Sequence, residues 1–256
     1  MLRPRLTVLL MMHQNALYKS INFSNPIYIG DPLNAVRIFN DFYVDELIFV
    51  NIDATVNSLE PDYRLLEDVA FVSRMPLCYG GGIKQISQIE KIIALGFEKI
   101  SISSGAINNP KLVREAADIF GSQSIVGCID IRKDKKSENY FVYTHNGSRI
   151  VNMSPIEVVD LFIESGVGEI LVNNISRDGT YKGYDIGIIE KIVDHSSVPV
   201  TAVGGARSFD DLKELSEACG LMGVAAGSLW CFKEPNKAVL LNYPNPRARI
   251  DIFSSN

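Results

Sequence analysis

The chain has 256 residues, of which 46% are hydrophobic and 21% charged, with 19 glycines and a formal net charge of −5. That profile is globular, and the length suits either two small domains or one large single-core barrel. A pI near 5.3 argues against a protein that coats nucleic acid or a basic membrane surface, and no apolar run approaches the roughly 18 residues needed to span a bilayer.

In chain order, short β-branched and aliphatic runs recur at 6–12, 47–52, 76–79, 99–103, 125–130, 170–174, 198–203 and 222–226. Continuous apolar runs of this length suit strands buried on both faces, as in a parallel sheet. The first run, RLTVLLMM, is too short for a signal core and passes straight into HQN, so a cytoplasmic protein is expected. Helical patterns lie between the runs. Asp31-Pro32, Asn109-Pro110 and Ser154-Pro155 each place a capping residue before a proline that opens a helix, and Ser208 opens another. Gly96, Gly166 and Gly220 close helices. Cys78, Cys128, Cys219 and Cys231 show no C-x-x-C spacing and read as reduced thiols. Cys128 lies two residues before Asp130, on the same strand face but deeper, as core rather than nucleophile.

Eight strands, each followed by helical or loop sequence, predict an α/β fold, a (β/α)8 TIM barrel spanning residues 1–256 as one domain. The two halves echo each other. DELIFVNI aligns with GEILVNNI, YGGGI with AVGGA, and SISSGAI with VAAGSLW, all at an offset of 123 residues. The constant offset predicts two duplicated half-barrels, about 1–123 and 124–245.

Active sites of such barrels lie at the C-terminal strand ends. In each half the third strand ends in glycines (Gly80, Gly81, Gly82; Gly204, Gly205), and the fourth in small residues (Ser103, Ser104; Gly227, Ser228). Glycine lets the backbone approach an anion, and free N–H groups point at it. Two such sites, related by the repeat, point to a phosphorylated small molecule with a phosphate at each end; the plainer reading is tight turns alone. Asp178 and Gly179, in SRDGT, lie beside the second site.

The motifs together resemble the cyclase subunit of imidazole glycerol phosphate synthase, the HisF family. The matching residues are Lys19, Asn22-Phe23, Asp31-Pro32, GGGI at 80–83, ID at 129–130, SRDGT…GYD at 176–185 and VGGA at 203–206. The resemblance implies a HisH-type glutaminase partner in a heterodimer and ammonia passed through the barrel. It also implies a charged ammonia gate at Arg5, Glu46, Lys99 and Glu169. These four lie at or just before strand starts, where a stabilising salt-bridge ring is the alternative. No cofactor, metal, nucleic acid or membrane is implied, and His13, His145 and His195 are scattered.

The family's catalysis resembles acid–base work by two aspartates, one ending strand 1 and the other strand 5. Asp130 ends strand 5, but the partner position is Met11, and a thioether has no proton to give. Asn51 stands where the family usually carries aspartate, and HQNA at 13–16 departs from the usual loop. Asp130 is also compatible with merely fixing a loop. Asp53 and Ser103 border the mouth without a firm role, and Trp230 and Phe232 are expected to pack the last helix. The departures gather on the catalytic face of the first half, while the phosphate sites, Lys19, Asp130 and the gate remain.

That pattern, with the opening MLRPRL, resembles a branch found beside surface-polysaccharide genes. In it, ammonia from the glutaminase would serve a sugar amidotransferase that makes acetamidino groups. The alternative is a lyase-type cyclase of histidine biosynthesis. It would convert the phosphoribulosyl-formimino nucleotide (PRFAR) and ammonia to imidazole glycerol phosphate and AICAR, with Asp130, Lys19 and a water sufficing. Segment 13–30 is expected as a mobile loop.

Overall fold

The computed structural model describes residues 3–134, 136–220, 222–233 and 238–254. The first two residues of MLRPRL and the last two of the tail therefore lie outside the described residues. Eight parallel strands form the barrel: β1 (Arg5–His13), β2 (Glu46–Asn51), β3 (Leu77–Gly80), β4 (Lys99–Ile102), β5 (Ile125–Lys133), β6 (Glu169–Asn174), β7 (Val200–Val203) and β8 (Gly223–Ala226). Each pairs in parallel with the next, and β8 pairs with β1, so the sheet closes on itself.

Closure explains the unbroken apolar runs, because each strand is covered on both faces. Inside the barrel, Ile48, Cys78, Val126, Leu171, Val203 and Ala225 form one small cluster. Outside it, Leu6, Val8, Leu10, Leu47 and Phe49 meet helix residues such as Val36, Phe39, Val113 and Phe162. Burying one such Leu or Phe side chain contributes about 2–3 kcal/mol.

The helices start where expected, although Asn109 makes no side-chain cap before Pro110. Asp31 accepts a hydrogen bond from Asn34 N, with Pro32 in the first turn. Ser154 and Glu157 form a reciprocal cap, and Gly166 closes that helix in the left-handed conformation. Trp230 is fully buried, tilts against Tyr243 and donates from its indole to Thr7 O at 3.3 Å.

Segment 13–30 corrects the expectation of a loop. It forms two antiparallel strands, Ala16–Ile21 and Ser24–Gly30, folded back on β1 in the register Met11↔Tyr18. The physical reason is a short period-two pattern in ALYKSI, with Asn22 and Phe23 at φ 52° and 60° making the turn. Strand β5 carries the same device. There Tyr140–Thr144 pairs with β5 in the register Asp130↔Tyr143, and Arg149–Val151 pairs onto that strand.

The register also defines which residues of the two halves correspond. Met11 lies opposite Val50, and Asp130 lies opposite Asn173. Val50 and Asn173 are themselves separated by the 123 residues of the repeat. Met11 and Asp130 are therefore equivalent positions.

Candidate functional site

One large pocket opens at the C-terminal ends of the strands. Its wall includes Met11, Lys19, Asn51, Gly81, Gly82, Ser103, Ser104, Asp130, Asp178, Gly179, Gly204, Gly205, Gly227 and Ser228, so the residues singled out at the mouth converge there. Phe23, named in the sequence as a family-matching residue without a site role, lines it as well, and sequence reasoning missed Thr55, Asn146 and Asn173. His145, read as scattered, lines it too. Phe23, His145 and Asn146 arrive on the two hairpins, and only recognising those hairpins could have placed them at the mouth.

Strand β5 runs three residues past Asp130 rather than ending there, and Asp130 accepts a hydrogen bond from Asn173 Nδ2 at 3.0 Å. Burial pushes its carboxyl up to about 7, and the charge of Asp178 adds to this, although the Asn173 bond opposes it. A carboxyl that titrates near neutrality is suited to proton transfer. Among the described residues, no backbone N–H bonds this carboxylate, so a loop-fixing role finds no support.

At the equivalent place in the first half, the Met11 sulfur is 3.9 Å from Ser20 Oγ and has Val50 in place of the amide. Asn51 spends its side-chain oxygen capping the short helix that follows, accepting from Asp53 N at 3.0 Å and Ala54 N at 3.2 Å.

Lys19 is buried, and Nζ donates to Leu9 O at 2.5 Å. Burial lowers its pKa, while negative charge at Asp178 works against that shift. Asp178 is itself raised by burial and accepts from Ser20 Oγ at 2.9 Å. Gly227 leaves the space that the Lys19 ammonium fills, because a Cβ there would strike Nζ. The register corrects the echo on the fourth strands to 124 residues, since Lys99 pairs with Cys78 and Gly223 with Thr201. The first-half counterpart of Gly227 is therefore Ser103, whose buried hydroxyl has no hydrogen-bond partner among the described residues.

The glycine doublets show why no other residue serves. Gly81 and Gly82 have φ of 124° and 74°, and Gly204 and Gly205 have φ of 110° and 109°. A Cβ on Gly81 would press on Asn51 O, and one on Gly204 would lie 2.8 Å from Asn174 O. The two loops thus pack against equivalent residues, Asn51 and Asn174, and present bare backbone to the pocket.

At the opposite end of the barrel, Arg5, Glu46, Lys99 and Glu169 are the first residues of β1, β2, β4 and β6. They close into a ring of alternating charge. Arg5 Nε lies 2.8 Å from Glu46, Lys99 Nζ lies 2.8 Å from Glu46 and 2.7 Å from Glu169, and Arg5 also pairs with Glu169. Thr201 Oγ1 donates to Glu169 at 2.6 Å. Burial would raise Glu169, but Arg5 and Lys99 hold it below the ordinary carboxylate range. Burial would likewise lower Lys99, and its two carboxylate partners outweigh it. Between ring and pocket lie the apolar inner layer and the thiols of Cys78 and Cys128, both pushed well up by burial.

The four cysteines are free. His195 sits far from the mouth, paired with Asp160 at 2.7 Å. Among the described residues no cluster of three or more His, Cys, Asp or Glu could hold a metal ion, and no helix is long and apolar enough to cross a membrane.

Comparison with known proteins supplies the family. The family model described as "Histidine biosynthesis protein" matches residues 10–235. A Leptospira borgpetersenii protein provisionally named as the HisF subunit of imidazole glycerol phosphate synthase is 49% identical, with 99% of this chain and all of that protein aligned. A Pseudomonas aeruginosa protein, provisionally named and numbered as a second HisF, is 46% identical over 96% of this chain and 97% of its own length. The HisF subunit of Petrotoga mobilis, named without qualification, is 36% identical over 82% of this chain and 84% of its own. The chain belongs to the histidine biosynthesis protein family and, within it, to the HisF subunits.

Proposed function

We propose that this chain is the ammonia-accepting subunit of a glutamine-dependent synthase whose acceptor differs from the histidine-pathway substrate. A glutaminase of the HisH type docks on the face carrying the charged ring, in the cytoplasm. Ammonia enters past Arg5, Glu46, Lys99 and Glu169, crosses the apolar interior and meets a phosphorylated acceptor at the mouth. Anionic groups of that acceptor bind the two glycine loops. Ser103, Ser104 and the Gly81–Gly82 backbone serve one, and Lys19, Gly204–Gly205 and Gly227–Ser228 the other. Support for anion binding comes from the unpartnered Ser103 hydroxyl and from the Lys19 ammonium over Gly227, rather than from the turns alone.

The observation that carries the changed acceptor is the pair Met11–Val50. It stands where the second half carries Asp130–Asn173, so the first half presents an apolar pair where the second presents a polar one. The acceptor that this favours is a sugar receiving an acetamidino group, with a separate amidotransferase as a third component. The degree of likeness supports a distinct branch, because identity is 49% and 46% to provisionally named relatives and 36% to the Petrotoga subunit.

The second reading is the histidine-pathway cyclase, a lyase that uses PRFAR and ammonia. It is favoured by the Asp130 carboxyl near 7 and by the names of the relatives.

The test is affinity purification of the full chain from its own cells, with glutaminase activity as the readout. A co-purifying protein whose glutaminase activity rises when the chain is added supports ammonia delivery. A chain that neither captures nor stimulates a glutaminase contradicts it. A stoichiometric third component with amidotransferase activity separates the sugar reading from the cyclase reading.

A further inference from the structure

Beside the main pocket lies an annex between the first hairpin and the short helix Ile52–Val56. His13 and Asp53 line it, with Met11, Phe23, Ile52 and Val56 as apolar walls, and it shares Met11 and Phe23 with the main pocket. His13 follows Leu9 and Met11 on the same face of β1, one strand period above the position where the second half's equivalent carries a carboxylate. His13 Nδ1 lies 2.7 Å from Asp53 Oδ1, while Asp53 Oδ2 accepts from Gln14 N at 2.8 Å. Among the described residues no group hydrogen-bonds Nε2.

The repeat supplies an internal control for what this pair is for. The counterpart of His13 is Arg132, and that of Asp53 is Ser176. Arg132 lies over the Tyr143 ring at 4.5 Å, as His13 packs edge-on against Tyr18 at 5.1 Å. Tyr18 and Tyr143 are themselves equivalent, being opposite Met11 and Asp130. Ser176 Oγ accepts from Lys133 N at 3.0 Å, which matches Asp53 accepting from Gln14 N. Stacking on tyrosine and anchoring of the strand end are thus common to both halves, and a single hydroxyl suffices for the anchor. The second carboxylate oxygen, holding an imidazole, is what the first half adds.

We propose that His13 and Asp53 form the acid–base dyad of the mouth, with Nε2 doing for the acceptor what a carboxylate at Met11 would otherwise do. Asp53 fixes the tautomer with the proton on Nδ1, leaving Nε2 bare. As the delivered ammonia forms a C–N bond at the acceptor carbon and the bond from that carbon to its leaving oxygen breaks, Nε2 takes the proton that the attacking nitrogen loses. The Asp53 carboxylate faces the imidazolium and stabilises it, and the imidazolium returns the proton to the departing group. Asp130 lines the main pocket, which adjoins the annex across Met11 and Phe23, and supplies the opposite partner from the other half. This role rests on the reading that the mouth holds a changed acceptor, but the state of the dyad is measurable without one.

The chain has three histidines, so ring-nitrogen NMR of the full-length protein resolves each, with His13→Asn providing the assignment. Asp53→Ser copies the other half, keeping the anchor and removing the second oxygen. The expected result is His13 in the Nδ1–H tautomer in the unmodified chain and reverting to Nε2–H in Asp53→Ser. Carbethoxylation of His13 Nε2 should slow by about threefold or more in that variant, with the melting temperature little changed. An unchanged tautomer and unchanged reactivity in a folded Asp53→Ser would overturn the dyad, leaving the pair as a strand anchor. Glycerol 3-phosphate is added as a separate arm. If it fails to protect a reactive His13, the phosphate-bearing acceptor is what falls, since the dyad's own signature is read in its absence.

Discussion

The two half-barrels share strand order, hairpin and glycine loops, yet they differ in one layer at the mouth. In the second half, Asp130 is held by Asn173, and burial pushes its carboxyl up to about 7. In the first half, the same two positions are Met11 and Val50, and hydrogen-bonding capacity moves one strand period outward to His13 and Asp53. The frame beneath is unchanged, with glycine doublets against Asn51 and Asn174 and a closed ring of charge below. An apolar pair in one half and a polar pair in the other each leave their layer satisfied, because a buried carboxylate without its amide costs stability and an amide without its carboxylate is left unsatisfied.

Copying the second half's pair into the first gives the largest expected effect. Met11→Asp with Val50→Asn should raise ammonium-dependent turnover of PRFAR by about 10²-fold or more over the unmodified chain, the scale of a positioned acid or base. Met11→Asp alone buries a carboxyl beside Val50. It should gain less and lose about 1–3 kcal/mol, readable by urea unfolding.

The ring tests the part that the halves share. Lys99→Met leaves two buried carboxylates bridged only by Arg5, and should cost about 3 kcal/mol near neutral pH. The sign with pH follows from Glu169. Its native pKa lies below the ordinary 4.5, so its ionised form adds stability above that value and loses it as pH falls. The gap between Lys99→Met and the unmodified chain should therefore narrow below about pH 4.5.

Asp130 behaves in the opposite sense. Its native pKa, about 7, lies above the usual 3.8, so the native state loses stability as pH rises between those values. Asp130→Asn should be neutral near pH 4 and more stable than the unmodified chain at pH 8. The pocket side of the carboxyl meets water, which holds the gain to about 1–2 kcal/mol. No such pH-dependent gain should follow Met11→Leu, and seeing one would break the comparison. The smallest effect falls to Gly227→Ala. Its φ is −116°, so the backbone tolerates alanine, and the new Cβ displaces chiefly the flexible end of Lys19, with Leu9 O next at 3.3 Å. Stability should change by under about 1 kcal/mol, with weaker binding of glycerol 3-phosphate by calorimetry.

Much of this was legible in the chain. Eight apolar runs, the helix-opening Pro32, Pro110 and Pro155, and the 123-residue echo carry the barrel because burial on both faces and helix starts are local signals. The ring residues were legible as strand starts. Segment 13–30 was not, since its second strand, SNPIYIG, is largely exposed and shows no apolar alternation. Asn173 and Asp53 were also hidden as partners. Their meaning lies in cross-strand register and in a contact 40 residues distant in sequence, neither of which periodicity encodes.

The most direct test is a side-by-side assay of the unmodified chain and Met11→Asp/Val50→Asn with PRFAR and ammonium salt. The account predicts binding of PRFAR by both chains but turnover to imidazole glycerol phosphate by the double variant alone. Turnover by the unmodified chain at a comparable rate would contradict it, and would mean that Asp130 and Lys19 suffice for the cyclase reaction.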